Sequence, residues 1–165
     1  MRFPRVPAFS GALLAALAIP MVSMPGRADE LRNLARLSGL LQRAGTSIQV
    51  ARDCPKHLLG AFVIAKNAVV LCANTVPNDP AQIWTVLAHE SAHVMQHCRQ
   101  GYLFGGEQLG LDFIEANRQN PGLFNEIGHY HPSQQRSEIE ARLVQGLPPE
   151  DVLNLFRRYC SDQLL

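Results

Sequence analysis

The pentapeptide His89-Glu90-Ser91-Ala92-His93 constrains this chain more than any other segment, because its chemistry works only on a helix whose far side is buried. Residues four apart on a helix lie one turn above each other on the same face, so His89 and His93 can aim two imidazole nitrogens at one metal ion. Glu90 stands about 100° round the helix from His89, beside the metal and not on it, where a base for an attacking water belongs. The flanks agree with a site helix. Val86-Leu87-Ala88 and Val94-Met95 continue an apolar stripe with Ile83, the two residues inside the box are uncharged, and no proline interrupts. Asn78-Asp79-Pro80 supplies a capping side chain and a proline for the first helical position. A core helix with two incidental histidines is the plain competing reading.

The chain begins with Arg2 and Arg5, an apolar run over 9–19, and small residues Gly26 and Ala28 spaced for cleavage after Ala28. Residues 1–28 therefore read as an export signal, too short and too interrupted by Pro20 and Pro25 for a good membrane span; a retained N-terminal anchor is the alternative. Residues 29–165 are expected to form a single domain in the periplasm or secreted, with no stable membrane insertion after signal removal. The whole chain carries net charge +1, and losing Arg2, Arg5 and Arg27 turns the remainder slightly acidic. That balance offers nothing to nucleic acid or an anionic membrane. Cys54, Cys72, Cys98 and Cys160 are an even set for an oxidising compartment. Cys54 and Cys72 bracket a hairpin-like stretch, while Cys98 ends the motif helix and Cys160 lies on the last helix, so Cys54–Cys72 with Cys98–Cys160 is the expected pairing. A four-cysteine zinc site competes, without CxxC spacing to support it.

Periodicity predicts a first helix over Glu30–Arg43, stopped by Gly45, then extended segments at Ser47–Ala51, Ala61–Ala65 and, after a Lys66-Asn67 turn, Ala68–Ala73. A strand directly before the motif helix offers a sheet edge that can hold an extended peptide beside the metal. The glycine-rich run 101–106 reads as a surface loop carrying Tyr102 and Phe104, or as a flap over the cleft. Short helices are expected at Leu111–Arg118 and Gly122–Ile127, a further one at Ser137–Gln145, and a last one opened by Pro148-Pro149 and running to about Tyr159.

A catalytic zinc needs three protein ligands and one open position. The short spacing HExxHxxGxxH is excluded, because Gln96 and Arg99 stand where it needs glycine and histidine. The downstream candidate is Ser137-Glu138-Ile139-Glu140-Ala141-Arg142, in which a carboxylate and a small residue stand three apart on one helical face. The small residue would let this helix come close to the first.

With these two motifs the chain resembles the gluzincins, zinc metallopeptidases that carry HExxH on one helix and a third-ligand glutamate on a later one. Its E-x-x-A form is similar to the CAAX prenyl protease type and to the small minigluzincins, over residues 83–143. The resemblance implies Glu138 as third ligand to Zn²⁺ with His89 and His93, and Glu90 as the catalytic base. Glu140 lies about 200° from Glu138 round the helix and faces elsewhere. The prenyl-protease pattern continues with an acidic residue after the alanine, where this chain has Arg142, so another acceptor must orient the histidines. The chain also lacks the hydrophobic spans of integral-membrane prenyl proteases, and their lipidated substrates do not carry over. Gluzincins often place a His or Tyr near the oxyanion; His129, Tyr130 and His131 are the candidates, with no ground for choosing among them. His97 reads as a surface or supporting group and His57 as solvent-facing.

The expected molecule is thus a small zincin-like α+β domain, with the HExxH helix and the third-ligand helix beside a small sheet. Its expected function is that of an exported zinc metalloendopeptidase acting on a peptide or protein substrate. A zinc-stabilised binding or structural protein, and a self-inhibited peptidase with its cleft filled by loop 101–106 or the C-terminal tail, are the alternatives.

Overall fold

The computed structural model describes residues 26–164; residues 1–25, most of the expected export signal, lie outside the described residues. The elements run α1 (Arg27–Arg43), β1 (Ser47–Ala51), β2 (Gly60–Val63), β3 (Ala68–Cys72), α2 (Pro80–Arg99), α3 (Gly106–Gln119), α4 (Pro132–Gln145) and α5 (Pro149–Tyr159), with single 3₁₀ turns at Ile64–Lys66, Ile127–His129 and Ser161–Gln163. This is an α+β domain.

Each end of α1 has a local cause. Asp29 and Glu30 lie in its first turn and Arg43 in its last, complementing the helix dipole. It stops at Gly45, whose φ of +79° closes a Schellman turn in which Thr46 N–H donates to the Leu41 carbonyl. Asn67, also left-handed at φ +43°, turns the chain from the 3₁₀ segment into β3. The second strand therefore ends at Val63, two residues short of the expected Ala65.

The sheet order is β1-β3-β2, with β1 parallel and β2 antiparallel to β3. The strand directly before the motif helix is consequently the central one. The edges belong to β1 and β2, and β2 is the one beside the motif histidines, which corrects the expectation that the adjacent strand would offer it.

Helix α2 is the axis of the domain and contacts α1, α4, α5, β2 and β3. It begins as the cap signal predicts, with the Asp79 side chain accepting from Gln82 N–H and Pro80 at the first position. Leu87, Ala88, Ala92, Val94 and Met95 are buried along it, joined in one core by Leu37, Leu40 and Leu41 of α1, Ala141 and Val144 of α4, and Val152, Leu153 and Phe156 of α5. Each large side chain buried there stabilises the fold by about 1.5–3 kcal/mol. Small residues on both helices, Ala88 and Ala92 facing the core from α2 and Ala141 from α4, allow the close packing that the motif requires.

Two disulfides are present, Cys54–Cys72 and Cys98–Cys160. The second joins the C-terminal turn of α2 to the end of α5 across 62 residues, a closure worth on the order of 4 kcal/mol in the chain-entropy account. No described helix is long and apolar enough to cross a membrane.

Several helix bounds need correction, among them α1, which starts at Arg27 and not Glu30, and α3, which starts at Gly106, five residues before the expected Leu111. Residues 122–126 form turns and Ile127 opens a 3₁₀ turn, because Gly122 sits at φ +110° directly after Pro121. Helix α4 starts at Pro132, five residues before the expected Ser137, with the His131 side chain accepting from Ser133 N–H as its cap.

Candidate metal centre

His89 and His93 project from one face of α2 and Glu138 from α4, and one donor atom of each lies within 4.8 Å of the others. Glu138 Oε2 is 3.4 Å from His89 Nε2, and Oε1 is 3.4 Å from His93 Nε2. Oε2 is buried without a hydrogen-bond partner, an arrangement costly for a carboxylate unless a cation satisfies it. The three donors can hold a metal ion.

Both rings are held from behind. His89 Nδ1 lies 2.8 Å from Gln145 Oε1, and His93 Nδ1 lies 2.9 Å from Gln96 Oε1. An amide oxygen only accepts, so each Nδ1 carries the proton and each Nε2 keeps its lone pair for the shared point. These glutamines supply the acceptors that the absence of an acidic residue at 142 demanded. Arg142 turns the other way, donating to the Leu123 carbonyl and to Glu126 at 2.9 Å each, and so braces the turns before Tyr130.

Electrostatics within the trio favour a cation. Burial alone would raise the Glu138 carboxyl, but the two imidazoles beside it outweigh that and hold it down at about 2. Burial opposes charge on His93, and the Glu138 carboxylate overcomes it, lifting the ring above its ordinary value. A metal ion held by the trio would take the place of that bound proton.

Glu90 lies beside the trio, 6% exposed. Burial pushes its carboxyl above the usual carboxylate range while the two histidines pull against the shift. Gly60 of β2 lets the sheet approach this point. A Cβ there would stand 2.8 Å from Val86 Cγ1, 3.1 Å from the Val70 carbonyl and 3.2 Å from Glu90 Cγ.

The trio opens onto a cleft of about 870 Å³ bounded by β2 on one side and by Tyr130 and α4 on the other. Of the three oxyanion candidates, Tyr130 lines this cleft and His129 and His131 do not. Burial and the nearby Glu138 raise its phenol further, so the hydroxyl keeps its proton. His97 also lines the cleft, exposed, with its ring 5.7 Å from that of Phe62. His57 is exposed in a left-handed turn at φ +74°.

Two parts of this site escaped the sequence reading. Gln96 and Gln145 stand one and two turns beyond ligands on their own helices, a spacing that carries no signal by itself. Glu140 is fully buried and accepts from the Leu103 and Phe104 N–H groups and from Gln96, facing loop 101–104 and not the trio.

Comparison with known families places the chain in one of them. The model of a domain of unknown function (DUF8637) matches residues 35–161, and the chain belongs to that family. No curated protein and no solved structure matches it.

Proposed function

We propose that this member of the DUF8637 family is an exported zinc metalloendopeptidase of gluzincin type. The observation that carries the reading is the trio His89, His93 and Glu138, with the buried and unpartnered Glu138 Oε2, at the floor of an open cleft beside Glu90. Two imidazoles and one carboxylate are a donor set of catalytic zinc sites, which keep one position for substrate or water. A zinc ion held there would supply Lewis acidity, polarising the scissile carbonyl and making water a competent nucleophile near neutral pH.

The chain's own residues do the rest. Glu90 takes a proton from the attacking water and returns it to the departing amine, and its raised proton affinity suits both steps. The Tyr130 hydroxyl donates toward the carbonyl oxygen as charge gathers there. Gln96 and Gln145 keep the imidazoles in one tautomer. The free edge of β2 offers backbone groups to an extended substrate, which favours a peptide.

The cleft favours a working enzyme over the closed alternatives. Loop 101–106 contributes Gly101 and Tyr102 to its wall, and among the described residues none of the C-terminal tail lines it. Two disulfides support an exported protein, since such bonds persist in oxidising compartments. The test is cleavage of a peptide library by purified protein, abolished by a chelator and restored by zinc. Zinc-loaded protein that cleaves nothing in a broad library would count against the reading.

A further inference from the structure

We infer that Gln96 and Glu140 form a positioning relay that couples the metal centre to the wall of the cleft, an inference that rests on the metal-centre reading above. Gln96 has both halves of its amide engaged. Its oxygen holds His93 Nδ1 at 2.9 Å, and its nitrogen donates to Glu140 Oε2 at 3.0 Å and to the Ser137 carbonyl at 3.0 Å. The amide accepts from one partner and donates to the other, which neither a carboxylate nor an ammonium in its place could do.

Glu140 carries the connection into the loop. Its Oε2 also accepts from Leu103 N–H at 2.8 Å, and its Oε1 accepts from Phe104 N–H at 3.1 Å. Arg136 closes the circuit, donating to the Phe104 carbonyl at 2.8 Å while its guanidinium lies 3.9 Å above the Tyr102 ring, which lines the cleft. A carboxylate buried this completely needs all of its partners, so a shift of His93 on metal binding is passed on and not absorbed. Metal occupancy thereby fixes Tyr102, and the loop in turn sets the affinity of the metal; the linkage is reciprocal.

The test compares wild-type protein with Gln96→Met, which removes the amide and keeps the bulk. Zinc affinity is measured against a competing chelator, and hydrogen exchange of the Leu103 and Phe104 amides is followed with and without saturating zinc. In wild type, zinc is expected to slow exchange of both amides several-fold. In Gln96→Met, zinc is expected to bind about 10- to 100-fold more weakly, the usual loss on removing a ligand's support, and the amides are expected to stop responding to it. A merely structural role would not change the zinc response.

Unchanged affinity and response in the variant would overturn the coupling and leave the metal centre standing; failure of wild type to bind zinc would overturn both. The melting midpoint of metal-free Gln96→Met checks its fold. Should that variant not fold, Glu140→Gln runs the test from the other end. Faster amide exchange with weakened zinc binding supports the relay, and wild-type zinc affinity there overturns it.

Discussion

Gln145 Oε1 holds His89 Nδ1 at 2.8 Å from a position 56 residues further along the chain, at the last residue of α4. The helix that brings Glu138 to the metal point with its second turn thus orients the first histidine with its last. Gln145→Leu should weaken zinc binding about 10- to 100-fold, in the range found for such supporting groups, with less change in the melting of the metal-free protein. Competition titration and calorimetry on the same samples check the split.

The two glutamates of α4 should fail differently. Glu138→Ala removes a metal donor and relieves an unpartnered buried oxygen, so zinc affinity should collapse while the metal-free protein folds. Glu140→Ala strands the buried N–H of Leu103 with the groups around it, at about 1–3 kcal/mol for each donor left unpaired. Its melting midpoint should therefore fall even without metal. Equal zinc affinities in the two variants would move the third donor away from residue 138.

Protons and metal compete at His93, and the sign follows from its raised pKa. In metal-free protein the charged His93 paired with Glu138 stabilises the fold fully below the ordinary histidine value, and that contribution is lost as pH rises through the raised folded value. The Glu138 side is lost only at low pH, between its ordinary value and about 2. The rise in melting temperature on adding zinc should therefore grow as pH climbs above about 6.5, the ordinary histidine value. Melting scans in paired buffers from mildly acidic to mildly alkaline pH check it.

Gly60→Ala should lower turnover without removing the metal. Its Cβ would press on Val86 and the Glu90 stem at distances that only movement can relieve, pushing β2 from α2 and displacing the base. Zinc content at wild-type level with reduced cleavage is the expected pair of results; unchanged kinetics would show that β2 yields at no cost to the site.

Much of this site was legible because its signals are local. Asp79-Pro80 and the stripe through Leu87 and Val94 define α2, and two histidines one turn apart on it must share a face. Glu138 became legible through the small residue Ala141 three positions on and through its resemblance to a known motif. Gln96 and Gln145 were not, because an amide's partner depends on how two helices cross and on side-chain rotamers. The His131-Pro132 start of α4 could have been read from proline's preference for the first helical position, whereas the turns at 122–126 depend on the left-handed Gly122. Sheet order is non-local, and adjacency in sequence pointed to the wrong edge strand.

Glu90 separates a working peptidase from a metal site that only stabilises the fold. Glu90→Gln keeps the shape of the side chain and removes the base, so the variant should fold and bind zinc as wild type does. The deciding measurement is chelator-sensitive cleavage of a peptide library by zinc-loaded wild type and Glu90→Gln at matched metal content. Glu90→Gln is expected to lose about 10²- to 10⁴-fold in rate, the usual contribution of a general base, if the carboxylate moves the water's proton. Equal rates in the two proteins would contradict that role.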